Sequence, residues 1–529
     1  MAHRKKLLLG DEAIAQAALD AGISGVYAYP GTPSTEITEY IQQAPEASAR
    51  GVHRQWSANE KTALEEALGM SYAGKRALVC MKHVGLNVAA DAFMNAAVTG
   101  VHGGLVVVVA DDPSMHSSQN EQDSRFYAKF ASVPLFEPAG QQEAYDMTRA
   151  AVAFSEKIRL PVLLRITTRL AHSRADVVTA PACGENPLNP ATDAKQWVLL
   201  PAHARRNWAA LLARWPEITR LTDTLPGNQF IPGSNRSLGI LAAGIAFNYL
   251  NECFPDGDCP FPILKIGQYP FPSARVGELQ AACDALLVLE EGAPFLEEQL
   301  VGLFPNPAMP IHGRLNGTLP RTGELTPESV AAALGRTRPE GPAIPSVVAP
   351  RPPSLCRGCP HADTYHFLTE VMAEFSGGRV FSDIGCYTLG ALPPYEAIHT
   401  CVDMGASITM AKGAADAGVR PALAVIGDST FAHSGLTGLL DAVSEKSPVK
   451  ILILDNETTG MTGGQESLAF GRLESICAGI GVEPGHIRVL NPLAKHHAEN
   501  ATILREEIAW SGVSVLIARR ACIQIRRKG

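Results

Sequence analysis

Apolar runs of strand length alternate with segments of helical spacing along most of the chain, a pattern of parallel α/β sheets rather than of hairpins. Two such runs near the C-terminal end, residues 422–426 and 449–454, end in Gly427-Asp428-Ser429 and in Asp455-Asn456. A helix-spaced segment from Gly435 to Ser447 joins them, which predicts a βαβ unit. Ligands of such sheets bind beyond the C-terminal strand ends, so Asp428 and Asn456 are expected at one rim. Their hard oxygens suit Mg²⁺ shared with a phosphate group. The loop that follows, residues 457–465, is rich in hydroxyls and Gly and can close on a diphosphate.

The same alternation divides the chain into three expected α/β domains. In residues 1–180 the strands are predicted at 25–29, 77–81, 104–110 and 160–166. A helix over 11–21 is expected to be capped by Asp11, and one over 35–42 by Ser34. Residues 181–195 lack periodicity and read as a linker. Residues 196–335 repeat the α/β pattern with strands at 237–242, 262–266 and 285–290. A stretch with six prolines, residues 336–354, is expected to cross in extended form to a third domain, 355–529.

Composition narrows the function. At 46% hydrophobic and 19% charged residues the chain is that of an ordinary globular protein. A net charge of −8 without an offsetting basic patch argues against a nucleic acid partner. No apolar run has the length to span a bilayer, and Asp11-Glu12 interrupt the opening apolar run before it reaches signal-peptide length, so a cytoplasmic location is expected. Eleven Cys in such a chain point to metal, cluster or buried thiols rather than to disulfides.

Gly427-Asp428-Ser429 with Asn456 28 residues after the Asp resembles the metal-diphosphate motif of thiamine diphosphate enzymes. That resemblance implies Mg²⁺ held by Asp428, Asn456 and the backbone of Thr458. Gly427, Ser429, Thr458, Gly460, Met461 and Thr462 then line the diphosphate. These enzymes also need a carboxyl in an apolar cleft to hydrogen-bond the aminopyrimidine ring. By spacing alone Glu60, Glu65 and Glu66 are helix charges, Glu60 at the favourable N-terminal end.

Longer stretches resemble the large subunit of the indolepyruvate ferredoxin oxidoreductase family from about residue 8 to 522. They are Tyr29-Pro-Gly-Thr-Pro-Ser-Thr-Glu-Ile37, Asn59-Glu-Lys-Thr-Ala-Leu-Glu-Glu-Ala-Leu-Gly69, Met81-Lys-His-Val-Gly-Leu-Asn87 and residues 111–123. Asp383-Ile-Gly-Cys-Tyr-Thr-Leu-Gly390 and Met404-Gly-Ala-Ser407 complete the set. The resemblance implies that Glu60 activates the cofactor, with His83 and Asn87 on a loop beside its ring. It brings Thr32 to the substrate carboxylate, with Arg125 or Lys129 as candidate cations, and gives the neighbouring Gly31 to the cofactor. Gly385, Gly405 and Ser407 fall to the cofactor. The fold it implies is two thiamine diphosphate-binding parallel-sheet domains, pyrimidine and diphosphate type, flanking a transketolase C-terminal-like domain. The middle domain is recognised by Leu289-Glu-Glu-Gly-Ala-Pro-Phe-Leu-Glu-Glu-Gln299, whose acidic residues read as solvated surface.

Cys356-Arg-Gly-Cys359 is followed 27 residues later by Cys386 and, near the end, by Cys522. The spacing alone leaves zinc, a redox pair and an Fe–S cluster open. The family resemblance implies that Cys356, Cys359, Cys386 and Cys522 hold one [4Fe–4S] cluster, with Cys401 and Cys477 as spare candidates for the fourth ligand. Cys80, Cys183, Cys253, Cys259 and Cys283 are expected as buried apolar residues. The family often continues into a ferredoxin-like domain, whereas this sequence stops seven residues after Cys522, so the electron acceptor stays open.

The expected activity is oxidative decarboxylation of an aryl 2-oxoacid to the acyl-coenzyme A, with electrons passed to the cluster and then to ferredoxin or another acceptor. A smaller second subunit, in a dimer of such pairs, is implied. A non-oxidative thiamine diphosphate decarboxylase and a non-catalytic or zinc-stabilised scaffold are the alternatives.

Overall fold

The computed structural model describes residues 4–303, 309–336, 344–349 and 352–525. The chain forms two compact units, Met1–Pro342 and Ala343–Gly529. Parts of the proline-rich 336–354 stretch, at 337–343 and 350–351, lie outside the described residues. No helix among the described residues is long and apolar enough to cross a membrane.

The first unit is built on a seven-stranded sheet. Its order is Gln268–Tyr269, Leu135–Phe136, Val162–Thr167, Leu105–Asp111, Ala77–Lys82, Gly25–Ala28 and His53–Trp56. All neighbours are parallel except the first pair. Alternate residues of Leu105–Asp111 enter different cores: Val106, Val108 and Ala110 one, Leu105, Val107 and Val109 the other. A strand buried on both faces is why this stretch reads as an uninterrupted apolar run. A five-stranded sheet in the same unit runs Ile311–His312, Leu286–Leu289, Gly239–Ala243, Ile263–Ile266 and Gln229–Ile231. The region expected as a second domain lends Gln268–Tyr269 to the first sheet, so the two sheets share one contact unit.

Buried charge fastens these sheets together. The Arg125 guanidinium donates to Asp123 at 2.9 and 2.5 Å, to Glu290 at 2.9 Å and to the carbonyls of Glu291 and Ala293. Beside it Arg165 donates to Asp111 at 2.6 Å, to Glu137 and to the Glu291 carbonyl. Arg314 closes on the Glu291 carboxylate at 3.2 Å. Two expectations are corrected here. Glu290, Glu291 and Glu297 are buried, not solvated, because Arg125, Arg314 and backbone N–H groups pair with them; only Glu298 of that run is exposed. Arg125 has its donors committed within the core and is not free for a substrate carboxylate.

Three local expectations also change. Asp11 lies inside the helix Gly10–Asp20 rather than capping it; the cap is Leu9, whose N–H donates to Glu12 at 2.8 Å. Ser34 occupies the N-cap of Thr35–Gln43, but its hydroxyl donates backward to the Gly31 carbonyl at 2.8 Å and tightens that turn instead. Cys183 is exposed because residues 181–193 run over the surface, tied by Cys183 N–H to Asp20 and Asn189 N–H to Ala73.

The second unit holds a six-stranded, wholly parallel sheet. Its order is Thr400–Cys401, Arg379–Ser382, Ala422–Gly427, Lys450–Asp455, Ser514–Arg519 and Ile487–Leu490. Its core is again split by strand alternation, Ala422, Ala424 and Ile426 against Leu423 and Val425.

Arg125 is the sharpest test of the buried network. Arg125→Met would leave Asp123 and Glu290 without their partner, and a loss of about 3–5 kcal/mol in unfolding free energy is expected by denaturant titration. A change below about 1 kcal/mol would show that other groups neutralise these carboxylates.

Candidate active site

In the first unit the chemistry-bearing side chains collect where parallel strands end. Glu60 opens the helix Glu60–Tyr72, which Asn59 caps by accepting from Thr62 N–H at 2.9 Å. Of the three glutamates on this helix only Glu60 is buried: Lys61 pairs with Glu65, and Ser57 donates to Glu66 at 2.6 Å. Glu60 lies against the Gly85 backbone, where a Cβ would come within 2.6 Å of its Oε1. Any side chain at position 85 would therefore push the carboxyl away.

His83 and Asn87 lie one turn apart on the short helix His83–Val88, not on a loop, because the strand Ala77–Lys82 runs straight into it. His83 is buried, and its Nε2 lies 3.1 Å from the Asn120 carbonyl. A carbonyl only accepts, so Nε2 carries a proton there, while Nδ1 is buried without a hydrogen-bond partner. Asn87 is exposed and accepts from Tyr127 at 2.6 Å. Thr32 is half-buried in the turn after Gly25–Ala28, its carbonyl accepting from Ser117 at 3.3 Å. Lys129 is exposed and sits over the Phe295 ring at 5.7 Å.

In the second unit Gly427 pairs with Leu454, so Asp428 leaves its strand beside Asp455. Asp455 is neutralised by Arg519 at 2.6 Å. Asp428 is not: its Oδ2 is buried without a hydrogen bond. Burial pushes the Asp428 carboxyl up to about 7 and Asp455 adds to this, against the Ser467 hydroxyl and local backbone N–H groups. Asn456 Nδ2 donates to His361 Nε2 at 3.2 Å, and its Oδ1 accepts from Thr458 N–H at 3.3 Å. Burial brings His361 down to about 4, so the ring is a neutral acceptor and fixes which way the amide faces. The loop beyond is pinned by Ser429 to Thr459 at 2.8 Å, Thr458 to the Gln465 carbonyl at 2.8 Å and Thr462 to Gln465 at 2.6 Å; Met461 projects into solvent. An orphaned carboxylate oxygen and an oriented amide oxygen make a hard donor set that fits a cation of the Mg²⁺ type.

Three glycines expected near the cofactor have packing reasons of their own. A Cβ on Gly385 or Gly427 would strike the Tyr387 ring at 2.2 or 2.6 Å, and one on Gly405, at φ +90°, would meet Ser434 at 2.5 Å. Tyr387 donates to Asp383, whose other oxygen accepts from the Ser407 hydroxyl at 2.6 Å.

The thiols of Cys356, Cys359, Cys386 and Cys522 are mutual electrostatic neighbours. Burial pushes Cys386 up to about 12, and the other three each oppose its ionisation further. Cys359 sits at the N-cap of the helix Pro360–Met372, and burial pushes its thiol up, against the first backbone N–H groups of that helix. Cys401 and Cys477 face elsewhere, beside Asp383 and Asp403 and beside Glu474.

Residues 16–198 match the family described as pyruvate flavodoxin/ferredoxin oxidoreductase, thiamine diP-bdg, and residues 383–493 match the thiamine pyrophosphate enzyme, C-terminal TPP binding domain. The chain is 38% identical to the indolepyruvate oxidoreductase subunit IorA of Archaeoglobus fulgidus, covering 98% of this chain and 86% of the relative. The chain belongs to the IorA family. The subunit IorA of Methanothermobacter marburgensis is likewise 38% identical, with 98% and 86% coverage. A solved 2-oxoglutarate:ferredoxin oxidoreductase from Magnetococcus marinus aligns at a TM-score of 0.49 and 16% identity, covering 63% of this chain and 65% of that one.

Membership in the IorA family makes the chain part of a thiamine diphosphate-dependent 2-oxoacid oxidoreductase, with the α/β fold expected. Sequence reasoning did not single out Lys82, which packs beside the Thr32 turn. Its stem packs on Gly31, where a Cβ would lie 3.4 Å from Lys82 Cδ, and its ammonium donates to the Ser117 carbonyl at 3.1 Å. Burial lowers its pKa, while Asp112 and Glu60 nearby favour its charge. A cation ending a buried strand, within the Met81-Lys-His motif, was the available signal.

Asp428 gives this subsection its test. In the ligand-free chain the folded state keeps a proton at Asp428 that the unfolded chain releases near 3.8, so this group's contribution to stability falls as pH rises from there to about 7. Asp428→Asn is expected to flatten that decline and to raise the unfolding midpoint of the ligand-free chain above pH 7. An unchanged pH profile would contradict it.

Proposed function

We propose that this chain is the thiamine diphosphate subunit of an enzyme that oxidatively decarboxylates an aryl 2-oxoacid of the indolepyruvate kind. Cys356, Cys359, Cys386 and Cys522 would hold a [4Fe–4S] cluster able to accept electrons singly on the way to ferredoxin or another acceptor, with coenzyme A as the acyl acceptor. The observation that carries this reading is the convergence of these four thiols on the segment that holds Asn456: the Cys522 N–H donates to the Asn456 carbonyl at 3.0 Å, and Gly460 lies against Cys386. The printed names of the relatives, indolepyruvate oxidoreductase subunit IorA, support the substrate class. A smaller second subunit and a dimer of such pairs belong to the same proposal.

Thiamine diphosphate, when bound, supplies the carbanion chemistry at the keto carbon, and the cluster supplies one-electron acceptance. The protein's part is to bind, orient and move protons. Asp428, the Asn456 amide oxygen and the Thr458 carbonyl would hold Mg²⁺ and through it the diphosphate. Glu60, out of water and backed by Gly85, would exchange a proton with the aminopyrimidine ring of the bound cofactor. His83 offers its unpartnered Nδ1 beside it. Thr32 and Lys82 take the substrate carboxylate, Lys82 supplying a charge that Arg125 cannot.

The test mixes the anaerobic complex with thiamine diphosphate, Mg²⁺ and indolepyruvate in the absence of an acceptor. Release of CO₂ is expected together with an electron paramagnetic resonance signal from a singly reduced cluster. Glu60→Gln should slow both by about 10²–10⁴-fold without loss of bound cofactor. Lys82→Met should raise KM about tenfold or more at little cost in kcat. Aldehyde release with no cluster signal would instead identify a non-oxidative decarboxylase.

A further inference from the structure

A second group of potential ligands lies in the first unit, apart from Glu60 and from the cysteines. Asp11 from the helix Gly10–Asp20, Glu36 from Thr35–Gln43 and His172 from Thr168–His172 each place a ligand atom within 4.8 Å of the other two. The chain builds this meeting deliberately. Gly10 packs directly on the backbone of the helix carrying His172, where a Cβ would come 2.2 Å from the Leu170 carbonyl, and Gly10 N–H donates to the Ser173 carbonyl at 3.2 Å. That contact sets Asp11 beside His172 and leaves no room for a larger residue.

Asp11 is the decisive member. It is fully buried, yet neither of its carboxylate oxygens has a hydrogen-bond partner, and Glu36 Oε2 beside it has none either. Two facing carboxyl groups whose oxygens meet no other donor need a proton or a cation between them. His172 Nε2 stands 3.6 Å from Glu36 Oε2 on the accessible side, half-exposed, completing a set of two carboxylate oxygens and one imidazole nitrogen. Oxygen ligands alone would suit Mg²⁺ or Ca²⁺, whereas the imidazole shifts preference to first-row transition dications.

We propose that Asp11, Glu36 and His172 form a binding site for a divalent transition-metal cation, open to solvent on the His172 side. Three protein ligands leave coordination positions for water or a small anion. Glu36 and His172 both follow strands of the seven-stranded sheet at their C-terminal ends, and Glu36 lies one helical turn beyond the Thr32 turn. A bound cation would therefore clamp that turn to the two helices behind it.

The test is a Mn²⁺ titration of the full chain, chelator-stripped and without thiamine diphosphate, followed by electron paramagnetic resonance. An Asp428→Asn background removes the other hard-oxygen site, and thiolates hold Mn²⁺ poorly. One bound Mn²⁺ per chain is expected, with nitrogen coupling from a single imidazole. Asp11→Asn should weaken it about 100-fold or more. His172→Gln, a change at a half-exposed side chain that leaves the core intact, should abolish the nitrogen coupling. No bound Mn²⁺ in that background, or binding that both substitutions leave unchanged, would overturn the proposal. Neither result depends on the decarboxylation reading.

Discussion

A buried carboxylate without a counter-charge governs the second unit. The register of the central strands sets Asp428 beside Asp455, and of the two only Asp455 has an arginine. A pKa moved from 3.8 to about 7 corresponds to some 4 kcal/mol against the charged form, a cost that the ligand-free fold carries by holding a proton. A divalent cation shared with a diphosphate would remove that cost and restore full charge. On the proposed reading, stability and function draw on the same group.

Asn456 ties this cation position to the cysteines. Its side chain is oriented by His361, the second residue of the helix that Cys359 caps, and its carbonyl receives the N–H of Cys522. The turn proposed to hold the cation and the thiol group are two sides of one short segment. Electron transfer between neighbouring centres asks for such closeness, and a simple decarboxylase has no use for it. The first unit mirrors the arrangement: Glu60, His83 and Lys82 all follow from strands that end at one rim, so parallel topology alone gathers residues far apart in sequence.

Much of this was legible in the sequence because strand length and burial leave a direct trace. The uninterrupted run at 105–110 reads as a central parallel strand and is one. Gly427-Asp428 and Asn456 announced their rim by following such runs. What escaped depends on partners distant in the chain. Glu290 and Glu291 look like surface charge until Arg125 and Arg314 meet them across the fold. Asp11 has the sequence of a helix cap, but Gly10 packs so tightly on Leu170 that the helix starts one residue earlier and carries Asp11 inside it. Lys82 was hidden for a related reason. Its importance lies in packing on Gly31, 51 residues away, and no local pattern records that contact.

The convergence of four thiols beside the Asn456 loop is the central claim, and iron and acid-labile sulfide per chain on anaerobically purified protein test it most directly. About four of each, with a broad visible absorbance that bleaches on dithionite and is lost in Cys386→Ser, is the predicted result. Protein that carries zinc or no metal, with no sulfide, would contradict the cluster and with it the oxidative reaction.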